Sequence, residues 1–408
     1  MANGRYHRGP RDQGHTVTGF NRELNDRLAT IREQGLYREL RRVDSPQGPR
    51  IEVAGKTLVN FSSNDYLGLA NHPALKEAAI KAVERFGAGS GASRLICGSL
   101  SPHHELEEAL AAFKEVEAAL TFSSGYAAAL GTITALLGKD DIIIVDKLVH
   151  ACVVDAARLS GAKLRAFAHN DLNDFEDILK WAAKTRNPQA QVLIVTESIF
   201  SMDGDAGSLR EIVALKDKYT AWLMVDEAHA TGIYGAHRRG FAEALGVNAR
   251  IEIQMGTLGK ALGASGGYIC GSRALIDFLI NRARSFIFST APVPTTAAAA
   301  MAGIQIVQSG EGEKLCQTLW ERVTTFDERL TTQNSRLQSA IIPLILGDEA
   351  KAVAAATELR AQGIFVPPIR YPTVARGAAR LRITLTAAHS VEDVGQLSTA
   401  LKPIVNRH

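Results

Sequence analysis

The sequence predicts an α/β protein, with a mostly parallel β-sheet between layers of helices and a smaller C-terminal α+β domain. From about residue 57 to residue 272, short apolar runs alternate with amphipathic stretches, and this alternation is typical of a parallel sheet. Several runs are apolar at consecutive positions, as expected for strands covered on both faces. After about residue 340 the strand-like runs stand apart from this series, which indicates a second unit.

The predicted elements can be followed along the chain. A helix is expected around "NRELNDRLATIREQGLYRELRR", before the sheet begins. The strands of the sheet are predicted at "TLVNFS", "AALTFSSG", "DIIIVDK", "QVLIVTES", "AWLMVDEAH" and "IEIQMGTLGK". Between them, "LNDFEDILKWAAKT" and "SLREIVALKDKY" have helical periodicity. A long helical region, "RALIDFLINRARSFIFST", and an alanine-rich stretch then lead to the C-terminal strands "AIIPLILG", "GIFVPPI" and "ARLRITLT".

The 408 residues exceed what one compact core usually holds, so we expect more than one domain. The patterns divide the chain into four parts. These parts are a disordered tail at 1–20, an N-terminal helix and arm at 21–56, a large domain at 57–290, and a linking helix with a small domain at 291–408.

The composition argues against several classes of protein. The formal net charge is only +3, so charge gives no support to binding of nucleic acid or of a membrane surface. No apolar run reaches the length of a membrane span, and the N-terminus lacks the apolar core of a secretory signal. The four cysteines form no CxxC pair, which argues against a structural zinc site and a disulfide framework and favours a reducing compartment. We therefore expect a cytoplasmic protein.

Polar residues follow four of the predicted strands at their carboxyl ends. Ligands of open parallel sheets collect at this edge. In chain order, the residues are Ser123, Ser124 and Gly125, then Ser201, then Asp226 and His229, and finally Thr257 and Lys260. Four strand ends that contribute polar groups are stronger evidence for a site than any single motif.

The segment "VDEAH", residues 225–229, has two interpretations. An Asp-Glu-Ala-His sequence after an apolar strand also occurs in helicase-type ATPases, where the aspartate binds Mg²⁺. Such an enzyme needs a GxxxxGK[ST] loop, and this chain has none. The alternative is that Asp226 and His229 face one ligand together. A buried carboxylate needs a partner, and a protonated ring nitrogen of a cofactor is a suitable one.

Two further features gain meaning only in combination. The segment "FSSGYAA", residues 122–128, ends a strand and opens a helix, so its backbone N–H groups form a potential anion site. Taken alone, Ser124 is more simply an N-cap, and His150 in "DKLVHAC" is more simply a structural histidine.

The segment "GTLGKALGASGG", residues 256–267, holds one lysine among five glycines. Lys260 is either a counter-charge to a phosphate or a nucleophile that needs room for the group it bonds. The order of anion site, histidine, Asp-x-x-His and lysine matches the needs of a pyridoxal phosphate enzyme. The lysine would form a Schiff base, Asp226 would keep the pyridine nitrogen protonated, and Thr257 would help to hold the phosphate.

These residues resemble the α-oxoamine synthases, a family of fold-type I pyridoxal phosphate enzymes that join an amino acid to an acyl thioester with loss of CO₂. The resemblance runs from about residue 25 to the C-terminus and is carried by "NFSSNDYLGLANHP", "FSMDGD", "VDEAHATG" and "GTLGKALGASGG". It implies a seven-stranded, mostly parallel sheet in the large domain and a smaller C-terminal domain.

The resemblance also implies residue roles at the cofactor. Lys260 would carry pyridoxal 5′-phosphate and act as the base at Cα, His150 would stack on the pyridine face, and Asp226 would pair with its nitrogen. The remaining cofactor contacts would come from Ser124, Gly125, Tyr126, Ser201, His229 and Thr257. Family members are usually homodimers, in which Ser289 and Thr290 would reach the phosphate of the neighbouring subunit.

The substrate contacts follow from the same resemblance. Asn64 and Arg370 would meet the carboxylate of the amino acid, a bidentate contact that suits arginine. Arg38, Thr373 and His150 match positions that contact the substrates or the product. The segment "PPIRYPTVARGAARLRITLTAAH" is similar to the branch that condenses L-alanine with a pimeloyl thioester, whose carrier is coenzyme A or a carrier protein.

Other activities are alternatives. The segment "GSGASRLICGSLSPHHELEE" is closer to the glycine C-acetyltransferase branch. A plain aminotransferase and a non-catalytic cofactor-binding paralogue are further candidates. The presence of Lys260, Asp226, His150 and Arg370 argues against the non-catalytic one.

Overall fold

The computed structural model describes residues 19–330 and 337–407. The predicted tail at 1–20 therefore lies almost entirely outside the described residues. In the described part, strands and helices alternate through most of the chain. The strands are β1 (Arg50–Val53), β2 (Lys56–Asn60), β3 (Ala118–Phe122), β4 (Ile142–Asp146), β5 (Lys163–Phe167), β6 (Val192–Glu197), β7 (Trp222–Asp226), β8 (Ile253–Thr257), β9 (Gly267–Gly271), β10 (Ile341–Gly347), β11 (Ile364–Phe365), β12 (Pro368–Ile369) and β13 (Ala379–Thr384).

The helices connect these strands and cover them. They are α1 (Gly19–Glu33), α2 (Pro73–Phe86), α3 (Ser101–Lys114), α4 (Gly125–Leu136), α5 (Ala151–Ser160), α6 (Leu172–Thr185), α7 (Leu209–Lys218), α8 (Phe241–Ala244), α9 (Arg273–Arg282), α10 (Arg284–Ile287), α11 (Pro294–Gln308), α12 (Gly310–Leu330), α13 (Glu349–Ala361) and α14 (Val391–Val405). No helix in this part of the chain is both long enough and apolar enough to cross a membrane.

The central sheet has seven strands in the order β3-β9-β8-β7-β6-β4-β5. Only β9 runs antiparallel to its neighbours, so the predicted mostly parallel sheet is confirmed. Two of its strands, β5 and β9, are not evident from sequence. The edge strand β5 is largely exposed and carries charged residues, and β9 begins and ends with glycine.

The sheet is covered on both faces because its strands are apolar at successive positions. Ile143 and Val145 of β4 pack with α4 and α5 on one face. Ile142 and Ile144 pack with α6 and α7 on the other. Burying each such side chain contributes about 1.5–3 kcal/mol. The inner strands therefore hold their carboxyl ends in fixed register, which positions the residues that follow them.

Strand β2 differs from its prediction. It pairs with β1 and β11 in a separate three-stranded sheet and not with the central sheet. Its partner Ile364 lies opposite Val59, so a contact distant in sequence decides where the apolar run belongs. A third sheet has the order β10-β13-β12. The segment after β2 thus leads from the small sheets to the large domain.

The helical predictions differ in extent. The N-terminal helix ends at Glu33, and the helical region after residue 272 divides into α9 and α10. Ala283 separates them with an extended backbone conformation, φ −72° and ψ 104°.

Candidate active site

The carboxyl ends of the central strands place several predicted residues in one region, and Lys260 is at its centre. The Lys260 Nζ atom lies 2.7 Å from Nε2 of His229. On the other side of the same imidazole, Nδ1 lies 2.6 Å from the hydroxyl of Tyr66. Burial lowers the pKa of Lys260 to about 8, although the carboxylates of Asp226 and Glu197 oppose this effect. A lysine with a lowered pKa is a better nucleophile and base near neutral pH.

Two carboxyl groups lie beside this lysine at the ends of neighbouring strands. Glu197 of β6 is the register partner of Asp226 of β7, and both residues are buried. Burial and the charge of Asp226 raise the pKa of Glu197 to about 8. Burial also raises the pKa of Asp226, while Lys260 and the N–H of Ala228 lower it.

Two like charges this close disfavour each other, and the raised pKa of Glu197 favours its protonated form near neutral pH. In the described residues, no lysine or arginine lies within ion-pair distance of Asp226. Its carboxylate accepts from Ala228 N at 2.9 Å. A buried carboxylate of this kind suits a cationic ring nitrogen as its partner.

The N-terminus of α4 offers backbone N–H groups to an anion. Ser124 is the N-cap, and its hydroxyl accepts from Ala127 N at 3.1 Å. Gly125 packs against the end of β8, where a Cβ would lie 2.6 Å from Cγ2 of Thr257. The Thr257 hydroxyl is buried and has no hydrogen-bond partner in the described residues. A helix N-terminus beside an unpartnered hydroxyl fits a phosphate group.

His150 caps the N-terminus of α5. Its Nδ1 accepts from Cys152 N at 3.2 Å. The ring stays exposed, yet desolvation by the surrounding protein lowers the pKa of His150, and Lys260 adds to this effect. A neutral imidazole that accepts at Nδ1 carries its proton on Nε2. His150 is therefore an N–H donor near neutral pH.

Ser201 lies in the turn after β6, and an arginine of the small domain holds this turn. Arg382 of β13 donates from Nε to the carbonyl of Ser201 at 2.6 Å. Arg380, two residues earlier on the strand, pairs with Asp203 at 2.6 Å. The backbone N–H of Ser201 donates to Glu197 at 3.1 Å. The turn is therefore fixed from both domains.

His169, a histidine outside the site, connects the turn that holds Ser201 to the end of β4. His169 bridges Asp146 at 2.9 Å and Asp205 at 2.7 Å. Although desolvation opposes it, these hydrogen bonds raise the pKa of His169 to about 10. Asp146 ends the strand before His150, and Asp205 closes the turn that holds Ser201. The charged imidazole thus links the two segments.

The predicted carboxylate site differs from the observed arrangement. Asn64 Oδ1 accepts from Nη1 of Arg382 at 3.1 Å. Arg370 is directed elsewhere, since its guanidinium donates to the carbonyls of Gly35 and Tyr37. Arg382 is buried, and its Nη2 has no partner in the described residues. Asn64 is therefore hydrogen-bonded to Arg382, whereas the guanidinium of Arg370 is directed away to the segment after α1.

The remaining predicted residues lie at the edges of the site. Arg38 donates to the Thr373 hydroxyl at 3.3 Å, so the structure brings this predicted pair together. Tyr126 is exposed and donates to Asp155 at 2.7 Å. Ser289 and Thr290 line a small cavity together with Ser123, Ser285 and several neighbours.

Sequence reasoning missed Arg382, Tyr66 and Glu197 as parts of this site. A signal was available for Arg382, because two arginines spaced by two in "ARLRIT" occupy one face of a strand. Tyr66 and Glu197 gave no local signal, since only their burial beside His229 and Asp226 makes them notable.

These features fit pyridoxal phosphate. The unpartnered Thr257 hydroxyl lies at the helix N-terminus, and a buried carboxylate and a lysine with lowered pKa lie nearby. The fold and the site thus define a fold-type I enzyme that uses pyridoxal 5′-phosphate. Residues 56–401 match the aminotransferase class I and II family, and the chain belongs to this family.

Relatives define the branch. The chain is 47% identical over 383 residues to the 8-amino-7-oxononanoate synthase of Geotalea daltonii, with 93% of this chain and 96% of the relative covered. It is 50% identical over 383 residues to the enzyme of the same name from an Anaeromyxobacter species, with 94% and 95% covered. The chain belongs to the 8-amino-7-oxononanoate synthase family, as predicted.

Solved structures agree with this placement. A serine palmitoyltransferase of Sphingomonas wittichii superposes with a TM-score of 0.87 at 30% identity, covering 96% of this chain and 98% of that one. An 8-amino-7-oxononanoate synthase from Francisella tularensis superposes with a TM-score of 0.71 at 28% identity, covering 86% and 97%. The predicted fold class, family and cofactor are confirmed.

Proposed function

We propose that this enzyme condenses L-alanine with a pimeloyl thioester to form 8-amino-7-oxononanoate, CO₂ and a free thiol, a step of biotin biosynthesis. The observation that carries the proposal is the environment of Lys260. Its amine is desolvated, lies 2.7 Å from His229 and is near the buried carboxylate of Asp226. The names of the relatives supply the product, and the resemblance of the segment "PPIRYPTVARGAARLRITLTAAH" supplies the substrates.

Lys260 would hold the cofactor covalently and, with its amine free, would take the proton from Cα of alanine. The bound cofactor supplies an electron sink for the bonds that break at Cα. Asp226 would pair with the ring nitrogen of the cofactor and keep that nitrogen protonated. The protonated neighbour Glu197 limits the negative charge at this end of the site. Thr257, Ser124 and Gly125 would hold the phosphate at the N-terminus of α4, and Tyr126 lies one residue further into this helix. Ser201 and His229 would bind near the ring oxygen.

Arg382 and Asn64 hold the carboxylate of alanine. Arg382 is buried and is oriented by Ser201 and Thr384, and its Nη2 has no hydrogen-bond partner in the described part of the chain. A guanidinium binds a carboxylate through two N–H groups. The same carboxylate leaves as CO₂, so its contact needs charge and orientation, which this hydrogen-bonded arginine provides.

Replacing Arg382 by lysine is expected to raise the KM for alanine by roughly 10- to 100-fold, because a hydrogen bond to a charged group contributes about 1.5–3 kcal/mol. The KM for the thioester should change much less. Arg370→Lys is the matched control, since Arg370 donates to backbone carbonyls in the segment after α1. Initial rates at varied alanine concentrations give the KM for alanine in both variants. A larger rise of the KM for alanine in Arg370→Lys than in Arg382→Lys would show that the carboxylate binds the predicted pair of Asn64 and Arg370.

The acyl donor enters near Arg38 and Thr373. These side chains are joined by a 3.3 Å hydrogen bond between the N-terminal segment and the loop after β12. Both are exposed, as a contact for a long substrate requires. His150, exposed beside Lys260, donates its Nε2 hydrogen to the substrates.

The enzyme acts as a homodimer whose sites are shared. Thr290 forms an isolated β-bridge with Ser93, so the segments around these residues lie side by side. They expose Ile96 (78%) and Phe288 (70%). Large exposed apolar side chains on adjoining segments favour a protein interface. Burial by a second subunit would also place Ser289 and Thr290 near the partner's phosphate.

The substrates can be tested by initial rates with alanine and glycine, each crossed with pimeloyl and acetyl thioesters. Burial of a methylene contributes about 0.8 kcal/mol, so pimeloyl is expected to exceed acetyl by orders of magnitude in kcat/KM. Alanine should exceed glycine more modestly, because one methyl group contributes about 1–3 kcal/mol in a fitted pocket. If glycine and acetyl were the better pair, the activity would be that of a glycine C-acetyltransferase, as residues 89–108 suggest.

A further inference from the structure

Tyr66 is a buried tyrosine that the proposed reaction does not use. Its side chain is 1% exposed, and its hydroxyl lies 2.6 Å from His229 Nδ1. His229 Nε2 faces the opposite way, 2.7 Å from Lys260 Nζ. The imidazole is therefore held between a hydroxyl on one side and the reactive lysine on the other.

The segment that carries Tyr66 is rigid. The carboxylate of Asp65 accepts from the backbone N–H groups of Leu69 at 2.8 Å and of Ala70 at 3.1 Å. The carbonyl of Tyr66 accepts from Ala387 N at 2.8 Å. The Tyr66 ring also meets the imidazole edge-on, with centroids 6.0 Å apart. The hydroxyl is thus fixed relative to the ring of His229.

The protons of this pair follow from its surroundings. Burial raises the pKa of Tyr66 to about 12, with the Arg382 guanidinium opposing the rise, so the hydroxyl keeps its hydrogen. Burial and the charges of Lys260 and Arg382, with a contribution from His150, hold the pKa of His229 well below its usual value. His229 is then neutral, with one donor and one acceptor nitrogen.

Two acceptors compete for the hydroxyl hydrogen of Tyr66. His229 Nδ1 is 2.6 Å away, whereas Asn64 Oδ1 is 3.5 Å away and already accepts from Arg382. The nearer nitrogen is the stronger partner, because hydrogen bonds weaken steeply with distance.

We propose that Tyr66 is a positioning residue that donates to His229 Nδ1 and so places the imidazole hydrogen on Nε2, facing Lys260 and the ring oxygen of the cofactor. The inference rests on the proposed function, in which His229 binds near that oxygen. Once Lys260 is covalently attached, its nitrogen no longer donates to Nε2 as an ammonium. The Nε2 hydrogen is then free to stabilise negative charge on the oxygen. Partners that fix a histidine tautomer in this way have large effects on the group it contacts.

The test is the absorbance of the lysine-bound cofactor against pH in the substrate-free enzyme. Tyr66→Phe removes the hydroxyl and keeps the ring. Without a fixed N–H donor, the ring oxygen retains more charge and the attached nitrogen binds its proton more tightly. The midpoint is expected to rise by about one pH unit, a tenfold change in the proton equilibrium. Tyr268→Phe is the matched control. The Tyr268 hydroxyl is also buried, but it lies outside the site and forms a 2.9 Å hydrogen bond with the hydroxyl of Thr231. Its midpoint should equal that of the unaltered enzyme.

A midpoint in Tyr66→Phe equal to that of the control would overturn the inference. His229→Gln separates this failure from failure of the proposed function. If that variant also left the midpoint in place, His229 would not bind near the ring oxygen at all. Should Tyr66→Phe fail to fold, ¹⁵N NMR of the unaltered loaded enzyme, with the His229 signal identified by its loss in His229→Gln, decides the tautomer. A hydrogen on Nε2 supports the proposal, and a hydrogen on Nδ1 contradicts it.

Discussion

Lys260→Ala is expected to lower turnover by at least ~10³-fold, because a general base alone contributes 10²–10⁴-fold and the covalent attachment is lost as well. The variant should still bind the cofactor without a covalent bond, through the N-terminus of α4 and through Asp226. Borohydride reduction and peptide mapping of the unaltered enzyme should find the modified lysine at position 260. A modified peptide that contains any other lysine would contradict the assignment.

Lys216→Ala provides a matched control for this change. Lys216 is also buried, but it pairs with Glu252 outside the active site. Its loss should reduce stability while turnover per folded subunit is retained.

Mixing Lys260→Ala subunits with subunits altered at both Ser289 and Thr290 tests whether the active site is shared between subunits. A heterodimer regenerates one intact site, so activity should exceed that of either parent. Subunit exchange without recovery would place each site within a single chain.

Asp226→Asn is expected to reduce turnover by about 10²-fold or more, the usual cost of removing one preorganised electrostatic contact. The amide has nearly the same shape but cannot stabilise a protonated ring nitrogen. Folding should be affected less than catalysis, because burial already disfavours the charge of Asp226. Single-turnover rates and thermal unfolding of the same preparation separate the two effects. Wild-type turnover in this variant would show that Asp226 does not pair with the ring nitrogen of the cofactor.

Glu197→Gln is the informative comparison for that change. The two carboxyl groups are register partners on adjacent strands, but burial and Asp226 raise the pKa of Glu197 to about 8. Glutamine resembles the protonated acid, so this variant should lose far less activity than Asp226→Asn near neutral pH. Equal losses in the two variants would show that Glu197 carries the charge that the cofactor needs.

The amino-acid sequence by itself determined the fold class and most of the proposed cofactor site. Parallel strands buried on both faces require consecutive apolar residues, and their carboxyl ends meet at one edge of the sheet. Asp226 and Thr257 end such strands, and Ser124 and Lys260 come within three residues of a strand end, so their proximity could be predicted from local pattern. The comparisons confirm the family, the fold and the cofactor. The roles of the individual residues stay predictions.

Only the tertiary structure decided which groups complete the site and which of them carry charge. The contact between Arg382 and Asn64 spans 318 positions, and the pairing of β2 with β11 is similarly distant, so no local pattern could reveal either. The protonation of Glu197 and the lowered pKa of Lys260 depend on burial beside neighbours from other strands. Residue types fix what a side chain can do, whereas desolvation and packing against distant segments fix its charge and its partner.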